Sequence, residues 1–128
     1  LDQKADDPAA FASLFLHSPY LWGGRSSLGL DCSALVQLSL QACGLACPRD
    51  SDMQERETGD SLEPNEPLQR NDLIFWKGHV GLMLDATTLL HASGHQMLVV
   101  QEPLETARSR IRSMTGQDIT SRKRVRWA

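Results

Sequence analysis

The chain has 128 residues, of which 41% are hydrophobic and 23% are charged. This length and composition are typical of one ordinary globular domain, and they exclude a disordered chain, a collagen-like chain and a small disulfide scaffold. A net charge of -3 gives no general attraction to polyanions, so we expect no nucleic acid partner.

Two helices are predicted in the N-terminal part, with a glycine-rich loop between them. Asp7 and Pro8 are typical of a helix start, and Ser18-Pro19 should end this helix just after His17, whose ring would face the C-terminal dipole. The loop from Tyr20 to Leu30 leads directly to a second, buried helix. This helix should run from Cys32 to Ala42, with Gly44 in a left-handed conformation after it.

The remainder of the chain indicates strands. Residues 47–70 are rich in proline and polar side chains, which predicts a long connection with one helical turn near Asp52 to Arg56. Strands are then predicted at Leu73–Trp76, Val80–Leu84, Leu89–Ala92, Met97–Val100 and Arg124–Trp127. Tight turns between them indicate an antiparallel sheet, and helices followed by strands give an α+β fold. We expect the basic tail from Arg122 to Trp127 to form a solvated face or a charge-protected edge strand, and not a phosphate-binding patch.

We expect residues 1–128 to form a single domain. No stretch approaches the roughly 20 consecutive apolar residues of a membrane span. Because the first residue is Leu1 and not Met, we expect the chain to be a processed form or a fragment of a larger protein.

Cys32 is a candidate nucleophile because of its predicted position in the first turn of a helix. Unpaired backbone N–H groups and the helix dipole favour a thiolate there and should lower the thiol pKa. A small buried core residue is the alternative interpretation. The preceding loop, with two aromatic residues, glycines and Asp31, favours presentation to a substrate.

Two histidines are candidates for the base and for the group that orients it. His79 directly precedes the predicted strand Val80–Leu84, and His91 lies inside the next one. Side chains on neighbouring antiparallel strands approach within about 5 Å at Cβ, so His91 can hold His79 in one tautomer. Each histidine alone is more commonly a core or surface residue. Their place on adjacent strands favours a Cys-His-His set.

A zinc site is the competing use of some of these residues. Cys43 and Cys47 are four residues apart, as are His91 and His95, but the two pairs are too distant in sequence for a zinc finger. We therefore expect no metal and no cofactor, and we assign Cys43 and Cys47 to packing. With three cysteines in the chain, at least one stays outside any disulfide. Of the aromatic residues, Trp22 is expected to wall a substrate cleft, and Phe75, Trp76 and Trp127 belong to the sheet.

The chain resembles the NlpC family of bacterial cell-wall cysteine peptidases, which have compact papain-like domains. Three segments carry the resemblance: Pro19 to Gly24 leading to Asp31-Cys32-Ser33, Asp72 to Trp76 followed by His79 to Leu82, and Leu90-His91-Ala92. They occur in the order of the family. The resemblance implies a papain-like NlpC-type domain in which N-terminal helices pack on an antiparallel sheet.

The resemblance also implies roles for individual residues. Cys32 would be the nucleophile, His79 the base and His91 its orienting partner, with Tyr20 at the oxyanion. With this neutral third member, activation of Cys32 would rest on the helix dipole and His79 alone. Asp31, Ser33 and Ser51 would grip the polar end of the substrate, Asp31 by pairing with an amine.

Two positions depart from the pattern of the family. Ala34 and Asn71 stand where glycines are usual, and Asn71 can still adopt a left-handed turn.

The activity implied is hydrolysis of peptidoglycan stem peptides or muropeptides at the bond between γ-D-glutamate and a diamino acid. Two alternatives stay open, namely an inactive module that binds wall peptides or proteins, and an amidase or acyltransferase on a related scaffold. The sequence is compatible with work in the cell envelope and with wall recycling in the cytoplasm, and with any oligomeric state.

Overall fold

The computed structural model describes residues 6–26 and 29–126. In order of the chain, the helices are α1 (Pro8–Ser13), α2 (Cys32–Ala42), α3 (Ser51–Glu57) and α4 (Leu104–Thr115). The strands are β1 (Arg25–Ser26), β2 (Gly29–Leu30), β3 (Asp60–Ser61), β4 (Leu73–Trp76), β5 (His79–Met83), β6 (Thr88–Ser93), β7 (Leu98–Pro103) and β8 (Ser121–Arg124).

A six-stranded antiparallel sheet in the order β3-β8-β4-β5-β6-β7 forms the centre of the fold. The predicted α+β class and antiparallel sheet are confirmed. Because all four residues of β4 are buried, the sheet is covered on both faces and not on one.

Helices α1 and α2 cover one face of the sheet. Leu35, Val36 and Leu40 of α2 are at most 1% exposed and share a core with Phe75 and Val80 of the sheet. The predicted bounds of α2 are confirmed, and Gly44 has the expected positive φ of 80°. This helix holds Cys32 against the sheet by its own apolar side.

Helix α4 covers the opposite face, and the sequence analysis did not predict it. Leu104 and Ala107 are buried against Ile74 and Trp76, with Ile111 packed beside them. The apolar residues recur at helical spacing, but the many arginines between them concealed the pattern.

Strand β8 also differs from the prediction. It runs over Ser121–Arg124, three residues earlier than expected, and lies between β3 and β4 instead of at an edge. Arg124 pairs with Asp72, which is 1% exposed, and Arg108 pairs with Asp118. Trp127, which was assigned to this strand, lies outside the described residues.

The first helix is shorter than predicted. It ends at Ser13, and His17 lies four residues beyond it with a φ of 71°, so its proposed contact with the helix dipole is wrong. Asn71 adopts the expected left-handed conformation, with a φ of 77°, and its side-chain oxygen accepts a hydrogen bond of 2.7 Å from the N–H of Ala9 at the start of α1. None of the described helices is long and apolar enough to span a membrane.

Candidate active site

Cys32 is the first residue of α2 and is 8% exposed. Its Sγ lies 4.0 Å from the carbonyl oxygen of Gly78, and the backbone N–H of Val80 is also directed at the thiol. The thiol therefore contacts the start of β5 on both sides of His79. The helix and the sheet, which are distant in sequence, meet at this point.

His79 and His91 are joined by a direct hydrogen bond. The distance from Nε2 of His79 to Nδ1 of His91 is 2.7 Å, and the ring planes are nearly perpendicular. Since Nε2 of His79 is used in this contact, its Nδ1 is the nitrogen left to accept a proton from a thiol. The sequence prediction that these two side chains meet on adjacent strands agrees with this geometry.

Gly81 makes room for this pair of rings. A Cβ atom at this position would lie 2.5 Å from Cδ1 of Leu89 and 3.1 Å from Cβ of His91. Both distances are shorter than normal van der Waals contacts, so a larger residue would displace the strand that carries His91.

The electrostatics of Cys32 differ from the expectation of a lowered pKa. Burial raises the pKa of the Cys32 thiol above its ordinary value, and the charge of Asp31 acts in the same direction. Backbone N–H groups, including that of Val80, oppose this effect without reversing it. Burial likewise lowers the pKa of His79 to about 3, helped by its neighbours His91 and Arg110. The resting pair is therefore a neutral thiol beside a neutral imidazole.

A cleft of about 300 Å³ opens in front of Cys32. Six predicted site residues line it: Tyr20, Trp22, Asp31, Cys32, Ser33 and Ser51. His79 and His91 line a second pocket, together with Trp76 and side chains of α4. The eight residues predicted from the sequence thus lie at one end of the sheet. Trp22 is 85% exposed at the rim of the cleft.

Comparison with known proteins agrees with this arrangement. The model of the NlpC/P60 family matches residues 17–119, which include the cleft and both histidines. The chain belongs to the NlpC/P60 family.

Similar curated proteins come from several bacteria. A gamma-D-glutamyl-L-lysine dipeptidyl-peptidase of Bacillus cereus is 34% identical over 80% of this chain and 32% of its own length. A protein of the same name from Bacillus subtilis is 35% identical over 69% of this chain and 32% of its own length. The chain thus spans about a third of the length of these relatives.

Solved structures support the papain-like NlpC-type fold. A crystal structure of an NlpC/P60 family protein from Bacillus cereus matches with a TM-score of 0.79 and 29% identity, covering 96% of this chain and 40% of that one. The resemblance stated from the sequence is therefore confirmed at the level of family and fold.

In this NlpC/P60 domain, Asp31 is already engaged by the protein. Its carboxylate accepts hydrogen bonds from the backbone N–H groups of Ala34 and Gly23, and both terminal nitrogens of Arg49 bind it at 3.0–3.1 Å. Arg49 also donates to Ser33 Oγ at 2.8 Å. Because of these bonds, the pKa of Asp31 is lowered despite burial, and a substrate amine would have to share the carboxylate with Arg49. The sequence analysis missed Arg49.

Gln54 is a second residue that the sequence analysis missed. It is fully buried in α3, and its side-chain amide donates to the carbonyl oxygens of Ser33 and Pro48 at 3.0 and 2.8 Å. These bonds connect the start of α2 to the segment that carries Arg49 and Ser51. This buried glutamine gives residues 47–70 a contact with the core that their polar composition does not indicate.

Glu102 is a third residue that was not predicted from the sequence, and it gives His91 a carboxylate partner. Its Oε2 lies 2.6 Å from Nε2 of His91, and Arg110 of α4 binds both carboxylate oxygens. The row of side chains therefore does not end at a neutral His91, as the sequence analysis had assumed. Glu102 lies two residues beyond Val100, the partner of His91 in β7, and the strand predicted from the sequence ended at Val100, so no local signal indicated this contact.

The residues considered for zinc lie apart from one another. Cys43 and Cys47 are buried on the α2 side, whereas His91 is bonded to His79 and Glu102. Among residues 6–26 and 29–126, no group of three or more potential protein ligands could hold a metal ion.

Proposed function

We propose that this domain is a cysteine peptidase that hydrolyses peptidoglycan stem peptides, at the bond between γ-D-glutamate and a diamino acid. The single observation that carries the proposal is the row formed by Cys32, the Gly78–Val80 segment, His79 and His91. The names of the two Bacillus dipeptidyl-peptidases and of a peptidoglycan endopeptidase from Mycobacterium tuberculosis support the substrate class.

The proposed reaction begins with transfer of the Cys32 proton to Nδ1 of His79. Sγ then attacks the carbonyl carbon, and the developing oxyanion accepts hydrogen bonds from the backbone N–H of Cys32 and the hydroxyl of Tyr20. His79 returns the proton to the leaving amine, and a thioester remains on Cys32. Water activated by His79 hydrolyses this thioester and restores the thiol.

The cleft in front of Cys32 contains a carboxylate and a guanidinium group, which is compatible with a stem peptide that carries both acidic and amino groups. Asp31 and Arg49 form a neutral pair at its floor, and the Ser51 hydroxyl has no hydrogen-bond partner among the described residues. We propose that Ser33 and Ser51 bind the polar end of the stem peptide beside this pair, and that Trp22 covers it. Trp76, Ile111 and Met114 line the pocket next to His79, and they would face the leaving diamino acid.

Incubation with stem peptides tests the proposal directly. We expect the domain to cleave a tripeptide of L-alanine, γ-linked D-glutamate and L-lysine or diaminopimelate, with the dipeptide and the free diamino acid detected by mass spectrometry. No cofactor or metal is added, and chelator should leave the rate unchanged. Failure to cleave any stem peptide would contradict the proposal.

Alkylation by iodoacetamide distinguishes the alternatives, because it reports the thiol without a substrate. We expect Cys32 to react at least about tenfold faster than Cys47 at pH 7.5, since burial raises the pKa of Cys47 to about 11 and no histidine is available to take its proton. Because the pKa of Cys32 is also raised, its rate should increase steadily from pH 6 to pH 9 as the thiolate fraction grows.

The modified residues are identified by peptide mass spectrometry. A rate at Cys32 that is constant from pH 5 to 7.5 would indicate a preformed thiolate and contradict the neutral resting pair. Selective alkylation without cleavage of stem peptides would favour an amidase or acyltransferase. Equal alkylation of Cys32 and Cys47 without cleavage would favour an inactive binding module.

A further inference from the structure

Glu102 and Arg110 form a partly buried ion pair beside His91, on the side away from His79. The side chain of His91 is 1% exposed, that of Glu102 is 11% exposed and that of Arg110 is 18% exposed. Arg110 donates to Oε1 and Oε2 of Glu102 at 2.8 and 2.7 Å, a two-pronged geometry that holds the carboxylate in one orientation.

Glu102 is ionised at neutral pH. Burial would raise its pKa, but hydrogen bonds from Arg110 and His91 outweigh this effect and lower the pKa to about 2. An ionised carboxylate can only accept hydrogen bonds. The short contact of 2.6 Å with His91 Nε2 therefore requires a proton on that nitrogen.

We propose that Glu102, held by Arg110, is a positioning residue that imposes one order of protons on both histidines and leaves Nδ1 of His79 bare to face Cys32. A neutral imidazole has one donor and one acceptor nitrogen, so a proton on Nε2 of His91 makes its Nδ1 an acceptor. Nε2 of His79 must then be the donor in their 2.7 Å hydrogen bond, and Nδ1 of His79 keeps its lone pair. The order is a consequence of the carboxylate at the far end of the row.

The charge of Glu102 has a second consequence for the same row. When His79 takes the proton of Cys32, the resulting imidazolium is stabilised by a carboxylate behind His91, as an aspartate stabilises the imidazolium of other triads. The positive charge of Arg110 weakens this stabilisation of the imidazolium. In the resting state the Glu102–Arg110 pair carries no net charge. Of the other titratable groups near the rings, Lys77 and His95 line the same pocket but make no hydrogen bond to either histidine.

The tautomers can be measured without any activity. In a ¹⁵N-labelled Cys32→Ala variant, which cannot transfer a proton to His79, two-bond ¹H–¹⁵N correlations should show both His79 and His91 with Nε2 protonated and Nδ1 bare at pH 7. Signals of His17 and His95 are assigned by replacing each with glutamine. Protonation of Nδ1 on neutral His79 or His91 would overturn the proposal.

Variants of Glu102 test whether its carboxylate is the cause of this order of protons on the two histidines. Glutamine can present either its oxygen or its NH₂ group to His91, so Glu102→Gln should populate the Nδ1-protonated form of His91, whereas Glu102→Asp should keep the original order. Glu105→Gln is the matched control, because Glu105 is an exposed residue of α4 whose one ion pair within the described part of the chain is with Arg108. This control should leave both tautomers and the rate unchanged.

The expected effect of Glu102 variants on catalysis rests on the proposed peptidase activity. We expect Glu102→Gln to lower kcat for a stem peptide by about 10- to 100-fold with a smaller change in KM, and Glu102→Asp to recover part of this loss. A lower kcat with unchanged tautomers would mean that Glu102 does not act through the order of protons on the histidines and would overturn the proposal. If wild-type protein cleaves no stem peptide, the proposed function fails while the tautomer measurement still decides the role of Glu102.

Discussion

Replacing Cys32 with serine is expected to lower kcat for stem-peptide hydrolysis by at least about 10⁴-fold. A serine hydroxyl has a much higher pKa than a thiol, so transfer of its proton to His79 is far less favourable and the oxygen is a much weaker nucleophile at neutral pH. The measurement is the release of the diamino acid by mass spectrometry under single-turnover conditions.

A control is available in the same core. Cys47 is also buried, at 7% exposed, and its thiol contacts the carbonyl of Pro48 and the side chain of Thr58. Cys47→Ser should keep kcat within a few-fold of wild type, and both variants should melt cooperatively. If Cys32→Ser retained more than a tenth of the activity, Cys32 would not be the nucleophile.

Replacing Tyr20 with phenylalanine is expected to lower kcat by about 100-fold while KM changes little. Tyr20 shares the cleft with Cys32, and its hydroxyl makes no hydrogen bond to the described residues. Burial raises the pKa of the phenol, with smaller effects from Cys32 and Asp31, so the hydroxyl remains a donor throughout the neutral range. Such a donor is useful only when negative charge develops on the carbonyl oxygen, which is why kcat should carry the effect.

Steady-state kinetics with a stem peptide separate the two constants. An increase in KM at constant kcat would instead assign Tyr20 to substrate binding. Thermal unfolding is the control for folding, because the loss of one partly exposed hydroxyl should move the midpoint by only a few degrees. The backbone of Tyr20 is held by the carbonyl of Met97, which this substitution leaves in place.

Some elements were predictable because their signals are local. Helix α2 begins after a capping residue, contains no helix breaker and ends before a glycine, so its bounds follow from neighbouring residues alone. The strands that carry His79 and His91 are short apolar runs between turns, and antiparallel pairing brings the two histidines together. The family resemblance added the order of these segments.

Other features escaped prediction because they depend on contacts between distant parts of the chain. Helix α4 was not predicted, because its arginines conceal the helical spacing of its apolar residues, and Arg110 of this helix is directed at Glu102 on β7. The expected lowering of the Cys32 pKa considered only the helix N-terminus, whereas burial under the sheet has the larger effect. The role of Arg49 required knowing that its segment folds back over Asp31, 18 residues earlier.

Local sequence is thus sufficient to place a cysteine at the start of a helix and two histidines on adjacent strands, because capping, periodicity and turns act over a few residues. The protonation and orientation of those groups depend on burial and on Glu102, Arg110 and Arg49. These are effects of distance and solvent exclusion, which arise only when separate segments pack together.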